Sequence, residues 1–200
     1  MGQVIDEPAT YADIEALPPN VVGEILFGKL VTHPRPARSH VHAASMLGYE
    51  LIGPFAKGLN GPGDWHIYDE PEVHVTNHFV VPDIAGWKTE RLSPNFDGSK
   101  FQIAPNWVCE FLTPSTQRYD KGDKRAIYAE IGVEHHWYVD PVARVLKVFT
   151  RREQDWFASN TFFDDDPVSA PPFDAIAFSL GDLWPKDLSI PPASTPPASN

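Results

Sequence analysis

The chain predicts a mixed α/β or α+β domain, and three observations carry that reading. Short apolar runs with two-residue alternation, such as "WHIYDEPEVHV" and "RVLKVFTRR", recur along the chain and mark strands. Two stretches, "SHVHAASMLGYELIGPFAKGL" and Asp120 to Ile131, space their apolar residues as a helix does. Strands outnumber helices and are interleaved with them. The 200 residues suit one domain over 1–184, with a Pro/Ser/Ala-rich tail over 185–200 expected to be disordered.

Each element follows from local signals. Thr10 is a natural N-cap for a short helix to about Leu17, which Pro18, Pro19 and Asn20 stop. "VVGEILFGKLVTH" reads as a hairpin turning at Gly28. Pro34 and Pro36 break the chain before the helix at 39–59, whose stripe holds Val41, Ala44, Met46, Leu47, Leu51 and Phe55. After the Gly58–Gly63 loop, a strand around Val73 and Val75 turns at Asn77 and His78 and returns over Phe79 to Trp87. Leu92 to Ala104 reads as loop, and Asn106 to Leu112 as a buried strand. Gly132 stops the helix that starts at Asp120. "HHWYVDP", "RVLKVFTRR" and "DWFASNTFF" are three more strands, the first two turning at Asp140 and Pro141. Asp164 to Pro172 is acidic and Pro-rich, hence a loop.

Composition narrows the function classes. A single cysteine, Cys109, excludes an intramolecular disulfide and suits a small core hydrophobe in a reducing, cytoplasmic setting. No run of eighteen apolar residues exists, so no membrane partner is expected. "MGQVIDEPAT" lacks the basic-then-apolar order of a signal peptide. Its sixth residue, Asp6, stands where a myristoylation motif needs Ser or Thr. The net charge of −11 argues against non-specific polyanion binding through Lys and Arg, though not against a local patch or metal-mediated contact.

Three charged residues break the apolar pattern. Glu110 interrupts "WVCEFL" and Asp83 interrupts "FVVPDIAGW". A lone buried carboxylate is costly unless paired or bound to a metal; the alternative is that either one faces solvent or caps a turn. On the helix after Glu110, Ile127, Tyr128 and Ile131 define the apolar stripe. At 100° per residue Lys124 falls within roughly 20° of its centre and Lys121 roughly 70° away. By phase alone, Lys124 either turns inward toward Glu110 or extends along the surface on its long stem. Two carboxylates and a lysine form a coherent set for phosphoryl chemistry. Oxygen ligands hold Mg²⁺ or Mn²⁺, the ion acidifies water and offsets phosphate charge, and the ammonium orients water or neutralises the phosphorus centre.

At these residues the sequence resembles the Uma-type restriction endonucleases of the PD-(D/E)XK nuclease superfamily. The resemblance spans roughly Tyr11 to Trp184. It rests on "GEILFGKLV", "VVPDIAGW" and, most specifically, "EFLTPSTQRYDKGDKRAIYAEIGVEHHWYVDP". It implies a restriction-endonuclease-like mixed central sheet flanked by helices. It also implies catalytic roles for Asp83, Glu110, Lys124 and Glu24, with Asp83 and Glu110 as metal ligands. The plain motif puts its lysine two residues after the second acid, where this chain has Leu112; the resemblance carries that role onto Lys124. Gly132, Trp137, Asp140 and Pro141 match scaffold positions. Thr113 replaces the usual Ser, and "EHH" a more aromatic run.

Other candidates are weaker. The eight histidines show no zinc-ligand spacing, and Cys109 is alone. His40 and His42 do not share a helical face, and His40 is expected on the solvated surface. Ser115 and Thr116 suit a helix entry better than a nucleophile. No Gly-rich phosphate loop is present. The expected function is metal-dependent hydrolysis of phosphodiester bonds in DNA by a homodimer. The alternative is a binding or structural module that keeps the fold without turnover, which the charge of −11 favours.

Overall fold

The computed structural model describes residues 7–34, 38–92, 98 and 100–185. The expected tail beyond Pro185 and much of the loop at 92–104 lie outside these residues.

Helix α1 (Tyr11–Glu15) begins at Thr10, whose N–H and hydroxyl donate to the Asp13 carboxylate at 2.7 and 2.9 Å. β1 (Val21–Leu26) and β2 (Lys29–Pro34) form the expected hairpin. It closes through Phe27 and Gly28, at φ 50° and 76°, the two positive values a tight primed turn requires. α2 (Arg38–Leu51) runs into a π-helical turn, Ile52–Ala56. The single helix expected there changes its winding because Pro54 has no N–H to offer the preceding turn.

The next hairpin departs from expectation. β3 (Trp65–Asp69), β4 (Val73–Val75), β5 (His78–Val80) and β6 (Ile84–Lys88) replace two continuous strands. The turn is at Thr76 and Asn77, with His78 already in β5 and paired to Val75. Both arms break at the same level, one around Pro71 and one around Pro82. A proline cannot donate to the ladder. The outer halves, β4 and β5, join one sheet and the inner halves, β3 and β6, another. Asp83 therefore lies in a bend at the entry to β6, not inside a strand.

β7 (Trp107–Phe111) leads to one helical stretch: α3 (Gln117–Tyr119), a π turn (Asp120–Lys124) and α4 (Arg125–Glu130). Gly132, at φ 89°, ends it, and the Val133 N–H closes back on the Tyr128 carbonyl at 2.9 Å. The helical crossover lets β8 (His135–Asp140) pair parallel to β7. β9 (Val145–Arg152) and β10 (Asp155–Phe163) complete a meander. β11 (Pro167–Val168) and β12 (Phe178–Ser179) pair with each other inside the region expected to begin as loop.

The larger sheet has the order β10-β9-β8-β7-β6-β3 and is mixed, with β7 and β8 its parallel pair; the smaller has the order β2-β1-β5-β4. β7 is buried on both faces. Trp107, Cys109 and Phe111 face α2 and the C-terminal segment, while Val108 faces Ile127 and Tyr128 of α4. The fold is thus α+β, a mixed sheet flanked by helices. No described helix is long and apolar enough to cross a membrane.

Phe173, fully buried, meets the rings of Phe55, Trp65 and Trp107 at centroid distances of 4.7, 4.9 and 4.8 Å. It anchors the C-terminal segment to the sheet. Phe173→Ala should destabilise the protein by about 3–5 kcal/mol through lost transfer energy and a cavity. Urea denaturation checks this, and a loss below about 1 kcal/mol would mean the segment is not part of the cooperative core.

Candidate active site

Glu110 sits near the C-terminal end of β7, on the sheet face that carries the crossover helix. Alternation along the strand sends its side chain to the face opposite Trp107, Cys109 and Phe111. It is 1% exposed, so the solvent-facing alternative does not hold. Lys124 turns inward to meet it, with Nζ 2.8 Å from Glu110 Oε1. The same Nζ lies 3.1 Å from Glu24 Oε1 and donates to the Val81 carbonyl at 3.0 Å. All three N–H bonds of the ammonium are engaged. Lys121, at the surface, donates to Gln117 instead.

Glu24 reaches this point from β1 in the other sheet. Its Oε1 accepts the Val81 N–H at 2.7 Å, a donor freed where the hairpin arm breaks, and its Oε2 lies 3.4 Å from His33 Nε2. Glu24 thus ties the lysine to the junction of the two sheets.

Asp83 lies one residue before Ile84, which pairs with Cys109, so it enters the sheet beside Glu110. Its Oδ2 accepts the Phe111 N–H at 2.7 Å and its Oδ1 lies 3.1 Å from His40 Nε2. His40, expected on the surface, is buried on α2 and faces the site. A cavity of about 340 Å³ opens here, its walls including Asp83, Glu110, Lys124, His40, Glu70 and Asp120.

Asp120, Tyr128 and His40 are the site neighbours that the charge pattern did not single out. Tyr128 already defines the apolar stripe of that helix, and Asp120, one turn before Lys124, shares the buried face with it. Tyr128 donates its hydroxyl proton to Glu110 Oε1 at 2.5 Å. Nothing in local pattern marks His40, because α2 meets Asp83 only after the sheets assemble.

The electrostatics are set by four acids around one ammonium. Burial pushes the Glu110 carboxyl well above the ordinary carboxylate range; Lys124 opposes this, while Asp120, Asp83 and Glu24 add to it. Burial also raises Asp120, to about 6, against the pull of Lys124 and Thr116. Burial works on Glu24 in the same direction, but Lys124, His33 and the Val81 N–H outweigh it and hold its pKa low. Burial disfavours the Lys124 ammonium, yet Glu110, Glu24, Tyr128 and Asp120 together hold its pKa well above normal. Glu24 is accordingly the steady counter-ion of Lys124, while burial works against the charge of Glu110.

The donor chemistry fits an added hard cation. Among the described residues no three His, Cys, Asp or Glu groups form a closed metal cage. Mg²⁺ does not need one, since it commonly binds through one or two carboxylates and keeps water and substrate phosphate in its remaining positions. Asp83 and Glu110, side by side on the cavity wall, match that open donor set.

A family model described as "Putative restriction endonuclease", Uma2, matches residues 8–181. A crystal structure described as a "putative nuclease" from Anabaena variabilis superposes with a TM-score of 0.70 at 23% identity, covering 88% of this chain and 98% of that one. That likeness is one of fold. No curated protein matches the chain. With the family model extending over nearly the whole described domain, the chain belongs to the Uma2 family of restriction-endonuclease-like proteins.

Proposed function

We propose that the protein is a nuclease that hydrolyses phosphodiester bonds in DNA with Mg²⁺ or Mn²⁺. The observation that carries this reading is the buried Lys124 ammonium, held between Glu24 and Glu110 on the same cavity wall as Asp83. Asp83 and Glu110 would hold the ion. When bound, it supplies a Lewis acid that offsets charge on the phosphate and acidifies nearby water. Lys124 contributes a fixed positive charge at the scissile phosphate. Were Glu110 to ligate the ion, the Lys124 N–H now directed at Glu110 would be available to water or phosphate. Glu24 acts through Lys124, as a positioning residue. A two-fold dimer would present two such sites to the two strands of a duplex.

A second reading, a binding module without turnover, is favoured by the net charge of −11. The deciding experiment incubates the wild type and Asp83→Ala with supercoiled, linear and single-stranded DNA and with RNA, in Mg²⁺, Mn²⁺ or EDTA. The wild type should cleave DNA only with metal. Asp83→Ala, which would lose a metal ligand, should fall by more than about 100-fold, equivalent to about 2.7 kcal/mol of transition-state stabilisation. Metal-independent binding with no cleavage of any substrate would establish the module reading in its place.

A further inference from the structure

His40 stands outside the acid–lysine set, yet it is the side chain that completes the hold on Asp83. The Asp83 carboxylate is clamped from two layers: the Phe111 N–H of β7 donates to Oδ2 at 2.7 Å, and His40 Nε2 of α2 lies 3.1 Å from Oδ1. A carboxylate has about four acceptor directions. Two are taken here, and two remain.

The histidine is itself fixed. Ala43, Ala44 and Leu47 bury the same face of α2, and the His40 ring packs on Phe111 with centroids 5.4 Å apart. Its Nδ1 is buried and has no hydrogen-bond partner among the described residues. The Nε2–H faces Asp83 Oδ1 whichever protonation state the ring holds, and Nδ1 is left as a buried polar atom. A buried polar atom without a partner is destabilising. An apolar side chain of similar size would avoid that cost but would also strip Asp83 of its Oδ1 partner, so the histidine is kept for its contact with Asp83.

We propose that His40 is a positioning residue for the metal ligand Asp83: its Nε2–H fixes the carboxylate so that the two remaining acceptor directions face the cation. The inference rests on the metal-dependent reading above and extends it to a residue that acts through Asp83. Groups that orient metal ligands commonly contribute 10–100-fold to affinity.

The test measures Mn²⁺ binding by the full chain from the electron paramagnetic resonance signal of free Mn²⁺, with thermal unfolding alongside. His40→Met keeps the volume and loses the donor; it should weaken Mn²⁺ binding by about 10-fold or more. His40→Gln places an amide N–H near the Nε2 position and should restore binding close to wild type. His40→Asn, whose amide falls short of Asp83, should bind as weakly as His40→Met and serves in its place should the methionine variant not fold. Asp83→Ala should lose the site. If Asp83→Ala loses Mn²⁺ while the Met and Asn variants bind as the wild type does, His40 has no positioning role and the metal reading stands. Equal weakening by Gln, with folding intact, also overturns the proposal. A wild type that takes up no Mn²⁺, or an Asp83→Ala variant that binds it unchanged, removes both.

Discussion

Lys124→Met should abolish cleavage and destabilise the fold together. The ammonium is shared by Glu24 and Glu110 and donates to the Val81 carbonyl, all within a buried site. Removing one partner of a buried ion pair leaves an uncompensated charge and typically costs about 3–5 kcal/mol. Here the stranded charge is chiefly that of Glu24, whose low pKa depends on Lys124 more than on any other group. Loss of a fixed charge at the transition state should lower the rate by about 10²–10³-fold. The two effects separate in a double variant. Glu24→Gln with Lys124→Met removes the stranded charge and should regain most of the stability, with activity still absent. Lys121→Ala, at an exposed position, should be mild on both counts. Urea denaturation and the DNA assay read the two effects. A double variant that cleaves at the wild-type rate would remove Lys124 from the chemistry.

Glu110→Gln should do the reverse for stability while also ending activity. Burial, with help from neighbouring acids, disfavours the Glu110 carboxylate in the folded protein. Glutamine is nearly isosteric and uncharged. Its Oε1 can still accept the Tyr128 hydroxyl and one N–H of Lys124, and Lys124 keeps Glu24. The melting temperature should therefore be no lower than that of the wild type. The amide is a far poorer ligand for Mg²⁺ than a carboxylate, so cleavage should fall by at least about 100-fold. Such a pairing of unchanged stability with lost activity is expected where a site keeps a strained charge for function. A melting temperature several degrees lower would instead mean that an ionised Glu110–Lys124 pair supports the fold.

Much of the scaffold was legible in the sequence because its signals are local. Phe27 and Gly28 sit between two alternating runs and close a hairpin. Gly132 ends a helix whose stripe is set by Ile127, Tyr128 and Ile131. The phase of that stripe also ranked Lys124 nearer the buried face than Lys121, and contacts with Glu24, Glu110 and Val81 are what turn the Lys124 ammonium inward. The π turn at Asp120–Lys124 did not spoil the count, because it lies at the N-terminal end of the stripe.

What only the tertiary structure decided was where distant elements meet. The arms around Pro71 and Pro82 read as continuous strands until they are paired, and the break is explained only when both prolines fall at one level of the same ladder. That break bends Asp83 out of the strand, frees the Val81 N–H for Glu24, and opens the cavity wall. His40 has no local mark of burial; it becomes an Asp83 partner because α2 packs across the sheet at Phe111. Helical phase and turn chemistry act over a few residues and are written in order along the chain. Contacts such as Glu24 with Lys124, or His40 with Asp83, join groups on separate layers, and their distances are set by how two sheets and two helices pack.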